Sequence, residues 1–258
     1  MIASDGYLEI AGQSLEARFI EGSSGRPVLV MLHEGLGSVS LWRDFPDLLA
    51  SATGCPVLVW SRTGYGASSS ITLPRSLTYM HDEADEVLPH IIAKLGGRDY
   101  VLAGHSDGAS IAIIYAGSRP LPGLTGLVLL APHVFVEDIS IKGIRAAREA
   151  WNITDLRTRL ERHHGDNVDN AFLGWNDAWL HPDFRKWDIT EFLPSISVPV
   201  LAVQGRDDDY GTLAQLDMIG QASGGPVEKL ILDDCGHAPQ NDQTAAVLDA
   251  ICGFLTEL

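Results

Sequence analysis

The 258-residue sequence predicts an α/β fold: a mostly parallel central sheet with helices on both faces and a small helical segment inserted between two late strands. Three observations lead there. Six short runs are apolar and rich in β-branched residues, the pattern of strands buried on both faces of a parallel sheet. Segments of helical periodicity separate them, as right-handed crossovers require. One connection, from 133 to 198, is far too long for a single crossover helix.

The chain opens with two alternating stretches, YLEIAG and QSLEARFIEG, which read as an antiparallel hairpin turning near Gly12. The parallel strands are expected in PVLVMLH (27–33), PVLVWS (56–61), DYVLAGH (99–105), LTGLVLLAP (124–132), PVLAVQG (199–205) and VEKLILDDC (227–235). In Thr78–Gly96, the residues Met80, Ala84, Val87, Leu88, Ile91, Ile92 and Leu95 share one helical face. Val247, Leu248, Ile251, Phe254, Leu255 and Leu258 do the same near the C-terminus. DGASIAIIYAGS, after Ser106, is small and apolar almost all round and predicts a buried helix.

The 66 residues from 133 to 198 hold helix-like runs (IKGIRAAREAW, TDLRTRLERHH) and four of the six tryptophans, Trp151, Trp175, Trp179 and Trp187. They read as a helical cap set into a core made of 1–132 and 199–258. The tryptophans, with Phe135, Phe172, Phe184 and Phe192, would form either an apolar pocket or the cap's own core.

Acidic residues outnumber basic ones 34 to 18, a formal net charge of −16. That field disfavours nucleic acid, anionic membranes and large polyanionic substrates. No apolar run approaches the ~18 residues of a membrane span, and MIASDGYLEI lacks the basic and apolar regions of a secretory signal. Cys55, Cys235 and Cys252 show no metal-type spacing and are expected reduced, in keeping with a cytoplasmic protein. No cofactor and no metal are expected, and monomer and homodimer both stay open.

The sequence GHSDG (104–108) fits G-x-S-x-G, directly after a strand and directly before a buried helix. A tight strand-to-helix turn strains the serine backbone, and flanking glycines avoid collisions. Ser106 is thereby presented at a helix N-terminus that favours developing negative charge. Serine needs a base, and the base needs an orienting carboxylate. QGRDDDYG follows the next-to-last strand and CGHAP the last one, so acid and histidine come after serine in order.

These motifs, in this order along nearly the whole chain, resemble the α/β-hydrolase superfamily, in particular serine carboxylesterase-like members with a helical cap. The resemblance implies the α/β-hydrolase fold and a catalytic set of Ser106, Asp208 and His237. The acid is usually three residues after the glycine ending its strand, here Gly205, with Asp207 as the alternative. It also implies two backbone donors for the oxyanion: Asp107 after the nucleophile, and Gly35 in HEGLGS (33–38), with Glu34 or Leu36 as substitutes. Where family members carry His-Gly-x, this chain has Glu34. That residue is expected as a solvated or structurally bonded loop side chain, or as one that orients a water or a polar substrate group. His33 would brace the loop, and His105 would pack in the elbow or line the pocket. Adjacent His163 and His164 would face different ways and make a poor metal pair. SRTGYGASS (61–69) resembles the family's glycine loop beside the site.

A serine at the nucleophile position argues against the haloalkane dehalogenases and epoxide hydrolases of this fold, which attack with aspartate. The expectation is hydrolysis of small to medium, largely uncharged carboxylic esters, a small-molecule ester being the partner. Alternatives are a carbon–carbon hydrolase of vinylogous diketones, a thioesterase, or a receptor retaining the fold without catalysis.

Overall fold

A computed structural model describes residues 5–258; residues 1–4, part of the stretch in which no secretory signal is expected, lie outside the described residues. The hairpin forms as β1 (Asp5–Ile10) and β2 (Gln13–Ile20), paired antiparallel through Ile10 and Gln13. Ala11 and Gly12 both take positive φ, which matches the strand twist in a two-residue turn. Along β2, alternate residues Leu15, Ala17 and Phe19 are buried.

The remaining strands are β3 (Val28–Leu32), β4 (Val57–Trp60), β5 (Tyr100–His105), β6 (Leu124–Leu130), β7 (Val200–Gly205) and β8 (Val227–Leu232). They form one eight-stranded sheet in the order β1-β2-β4-β3-β5-β6-β7-β8. Only the β1–β2 and β2–β4 pairings are antiparallel. Alternate residues of the central strands feed two separate cores. From β3, Val28, Val30 and Leu32 enter one core, and Leu29 and Met31 the other. This explains why the run is apolar without alternation.

One core is closed by α1 (Phe45–Thr53) and α10 (Thr244–Thr256). The other is closed by α2 (Tyr79–Asp82), α3 (Leu88–Ala93), α4 (Asp107–Ser118) and α8 (Ala214–Ala222). Between α2 and α3, Glu83–Val87 is a π-helical stretch, so the helix expected across 78–96 is continuous but widened in its middle. Between β6 and β7 run α5 (Asp138–Ile153), α6 (Leu156–His164) and α7 (Val168–Leu180), with 3₁₀ turns at Pro182–Lys186 and Thr190–Ser195. The short α9 (Pro239–Asp242) follows the last strand.

Two expectations need correction. The last strand is not apolar on both faces: Glu228, Lys229 and Ile231 are exposed, because β8 is an edge strand. Leu258 lies beyond α10 and is 44% exposed, so that helix buries only Val247, Ile251, Phe254 and Leu255.

Among the described residues, no helix is long and apolar enough to cross a membrane. The three cysteines are free, with Cys55 and Cys235 buried.

Candidate active site

The strand β5 ends at His105, and α4 begins at Asp107, leaving Ser106 alone to make the turn. Ser106 has φ 52° and ψ −117°, a backbone state that L-residues adopt only under constraint. The constraint is close packing. A Cβ on Gly104 would lie 2.4 Å from the Gly108 carbonyl oxygen, and one on Gly108 would lie 2.1 Å from that of Leu32. The glycines thus allow α4 to press against β3 and β5, and the serine between them is extruded at the carboxyl edge of the sheet.

The loops after β7 and β8 bring the acid and the histidine to it. Ser106 Oγ lies 2.9 Å from His237 Nε2, and His237 Nδ1 lies 2.8 and 2.9 Å from the two carboxylate oxygens of Asp208. The histidine therefore carries its proton on Nδ1 and accepts from the serine on Nε2. Asp208 is buried, while Asp207 and Asp209 are exposed and make no such contact. Burial opposes the Asp208 charge, but His237 and the Tyr210 N–H at 2.7 Å outweigh it and lower the pKa; the Gln204 amide also donates to the carboxylate at 2.6 Å.

In HEGLGS, the backbone is pinned from behind. The Glu34 carbonyl accepts from His33 Nδ1–H at 2.7 Å, Arg62 Nη2–H at 2.9 Å and Gly37 N–H at 3.0 Å. Since a trans peptide points its C=O and N–H in opposite directions, the Gly35 N–H is turned away from that brace. Gly35 itself borders the cavity holding Ser106, as does Asp107. A Cβ at Gly35 would sit 2.2 Å from the indole of Trp175, so no other residue fits under α7. His33 is held neutral by burial and by Arg62, which donates from its own N–H to His33 Nε2 at 3.0 Å.

Asp107 carries a second, unforeseen feature. Its buried carboxylate accepts from Tyr79 at 2.5 Å and Trp179 at 3.2 Å, and Arg62 stands 4.0 Å away. Burial raises its pKa against the pull of Arg62. One guanidinium thus lies between the loop after β3 and the start of α4.

Glu34 is joined to His105, with Oε2 3.4 Å from Nδ1. His105 Nε2 bonds the His237 carbonyl at 2.7 Å, and Gln240 lies 3.1 Å from Nδ1. Burial disfavours charge on both, yet each stabilises the other: Glu34 falls to about 2 and His105 is raised. His105 therefore does both things expected of it, packing in the elbow and bordering the cavity.

The cavity has a volume of about 220 Å³. Besides the residues above, His133, Ser140, Ile144, Tyr210 and two tryptophans, Trp175 and Trp179, border it. Phe135, Phe172, Phe184 and Phe192 do not; Phe172 stacks on Trp151 and Phe184 on Trp187, as packing of the inserted helices. His133 was not singled out by sequence. It is buried, its Nδ1 has no partner, and burial with the nearby His237 lowers its pKa to about 3. His163 and His164 do face apart. The first meets Ser40; the second accepts from Gly66 N–H at 3.0 Å and donates to the Leu36 carbonyl at 2.9 Å. Among the described residues, no group of three His, Cys, Asp or Glu side chains is placed to hold a metal ion.

Comparison with known proteins agrees with this architecture. Residues 29–250 match the profile of the Alpha/beta hydrolase family. N-formylmaleamate deformylase of Pseudomonas putida is 30% identical, over 74% of this chain and 75% of that protein. Proline iminopeptidase of Lactobacillus delbrueckii subsp. lactis is 23% identical over 99% of both. Among solved structures, VinJ superposes with a TM-score of 0.75 at 23% identity over 99% of both chains. A thermophilic esterase from Thermogutta terrifontis gives 0.73 at 19% identity, again over 99% of both. Sheet order, elbow geometry and family match converge, and the chain belongs to the alpha/beta hydrolase family.

Proposed function

We propose that this protein is a serine hydrolase that cleaves small, largely uncharged carboxylic esters through an acyl-enzyme on Ser106. The observation that carries the reading is the unbroken relay from Asp208 through His237 to Ser106, with contacts of 2.8 and 2.9 Å. On this reading, Ser106 Oγ attacks the carbonyl carbon while His237 Nε2 takes its proton. Negative charge develops on the carbonyl oxygen, where the Gly35 and Asp107 N–H groups receive it. His237 returns the proton to the departing alcohol. Water then repeats the sequence on the acyl-serine and releases the acid.

Residues 133–198 act as the cap, since Trp175 and Trp179 of α7 form one wall of the cavity. At about 220 Å³, that cavity is smaller than the ~300–1,000 Å³ common for drug-sized ligands, which supports a small substrate. A second reading, hydrolysis of a small N-acyl amide, is favoured by the 30% identity to N-formylmaleamate deformylase. The same relay would serve it, with an amine as the leaving group.

The test is twofold. Ser106→Ala should lose turnover of short-chain nitrophenyl esters, and labelling by a fluorophosphonate, while melting at the wild-type temperature. Residual turnover in that variant would remove the nucleophile from the mechanism. A panel of matched esters and amides then ranks the two readings by kcat/KM.

A further inference from the structure

The charge arrangement around the cavity carries more than its shape does. Among the described residues, no lysine or arginine borders it. His105 borders it, but its Nε2 is taken by the His237 carbonyl and its Nδ1 faces Glu34 and Gln240; it is 3% exposed. The Asp107 carboxylate is sealed under Tyr79 and Trp179. Glu34 is different: its side chain is 27% exposed, and its one ionic partner, His105, sits behind it. A carboxylate has about four acceptor positions, so the contacts with His105 and with its own backbone N–H leave others open.

Position then says which part of a substrate Glu34 meets. The loop carrying Glu34 follows β3, on one side of β5; the loop carrying His237 follows β8, on the other side. The leaving group departs toward His237, which protonates it, and the carbonyl oxygen points toward Gly35, so Glu34, next to Gly35, lies on the carbonyl side of the substrate and not on the leaving-group side. The Glu34 backbone is also held within the peptide that precedes the Gly35 N–H, next to the scissile carbonyl.

Resting on the serine-hydrolase reading above, we propose that Glu34 selects the acyl group. Its carboxylate accepts a hydrogen bond from an N–H, ammonium or amide, borne near the scissile carbonyl, and it turns away acyl groups that carry a carboxylate. A substrate acid in this cavity would be desolvated beside a like charge with no free cation to meet it, since His105 is already paired with Glu34 and bonded to the His237 carbonyl.

The experiment uses ethyl esters of alanine, N-acetylalanine, propionic acid and succinic acid (the hemiester), with acid release followed by titration. Wild-type enzyme should take the hemiester at least about tenfold more slowly, in kcat/KM, than the propionate, and should favour the two N–H-bearing esters over it. The alanine and N-acetylalanine arms separate ammonium from amide recognition. Glu34→Gln and Glu34→Gly should both narrow the ratio between N–H-bearing and acidic esters by about tenfold, whatever their absolute rates. If both variants shift all four esters by one common factor, Glu34 only braces the loop and the proposal falls. It falls equally if wild type takes the hemiester as fast as the propionate. Failure of the underlying reading looks different: no ester is cleaved, and Ser106 is not labelled by a fluorophosphonate.

Discussion

At Asp208, three consecutive aspartates separate cleanly into one buried residue and two exposed ones. The buried carboxylate holds the His237 ring in the tautomer that leaves Nε2 free for Ser106. Asp208→Asn would present an amide there and favour the wrong tautomer. Its kcat should drop by up to about 10⁴, as removal of a triad acid does elsewhere. Asp207→Asn and Asp209→Asn should stay within a few-fold of wild type on the same nitrophenyl ester. A severe Asp207 variant would break the assignment. The three side chains that meet were legible: a serine inside G-x-S-x-G, a histidine after the last strand, and an acid three residues past Gly205. Arg62, His133 and Tyr210 were not, because nothing in their local spacing marks them; they acquire a role only when separate loops meet. Glu34 was visible as a departure, but its pairing with His105, 71 positions away, was not.

Elements follow the same division. The strands and α4 were readable because burial on both faces or all round leaves an unmistakable apolar run. The helices α1, α7 and α8 were not read from the sequence, although α7 buries more residues than either α5 or α6. The outward face of β8 depends on which strand ends at the sheet edge, a property of topology rather than of local pattern. What organises the site at this scale is Arg62, in the loop after β4. It donates to the Glu34 carbonyl and to His33 on the loop after β3, and its guanidinium stands near Asp107 at the start of α4. Arg62→Lys retains a charge but not the planar fork that reaches both. We expect kcat to fall by about 10–100-fold with KM changed less than threefold, since the oxyanion forms only in the transition state. A change confined to KM would show that Arg62 shapes the cavity and not the oxyanion donors.

For the molecule as a whole, buried neutral imidazoles lower stability on the acid side, alongside the lowered carboxylates of Glu34 and Asp208. His33 and His133 are both depressed by burial, His133 to about 3. At His133, between about pH 6.5 and 3 the unfolded chain binds a proton while the folded protein does not, and the lowered His33 acts in the same direction, so stability falls as pH falls. His105 runs the other way: raised in the folded state, it favours folding at low pH and loses that contribution as pH rises through its folded value. His133→Gln should therefore flatten the acid limb of a plot of unfolding free energy against pH, by at most about 1.4 kcal/mol per pH unit. An unchanged slope between pH 6.5 and 4 would mean that other groups govern acid unfolding.

The relay that joins Ser106 to His237 spans 131 positions of sequence. Long-range closures of this kind form late, after local helices and neighbouring strands have condensed. On the serine-hydrolase reading, Ser106 gains its base only where β8 and the loop after it have docked. During refolding, the return of fluorophosphonate reactivity times that last docking step, whereas far-UV dichroism times the earlier condensation. On the same reading, a copy in which this relay has not closed is expected to resist labelling by the probe.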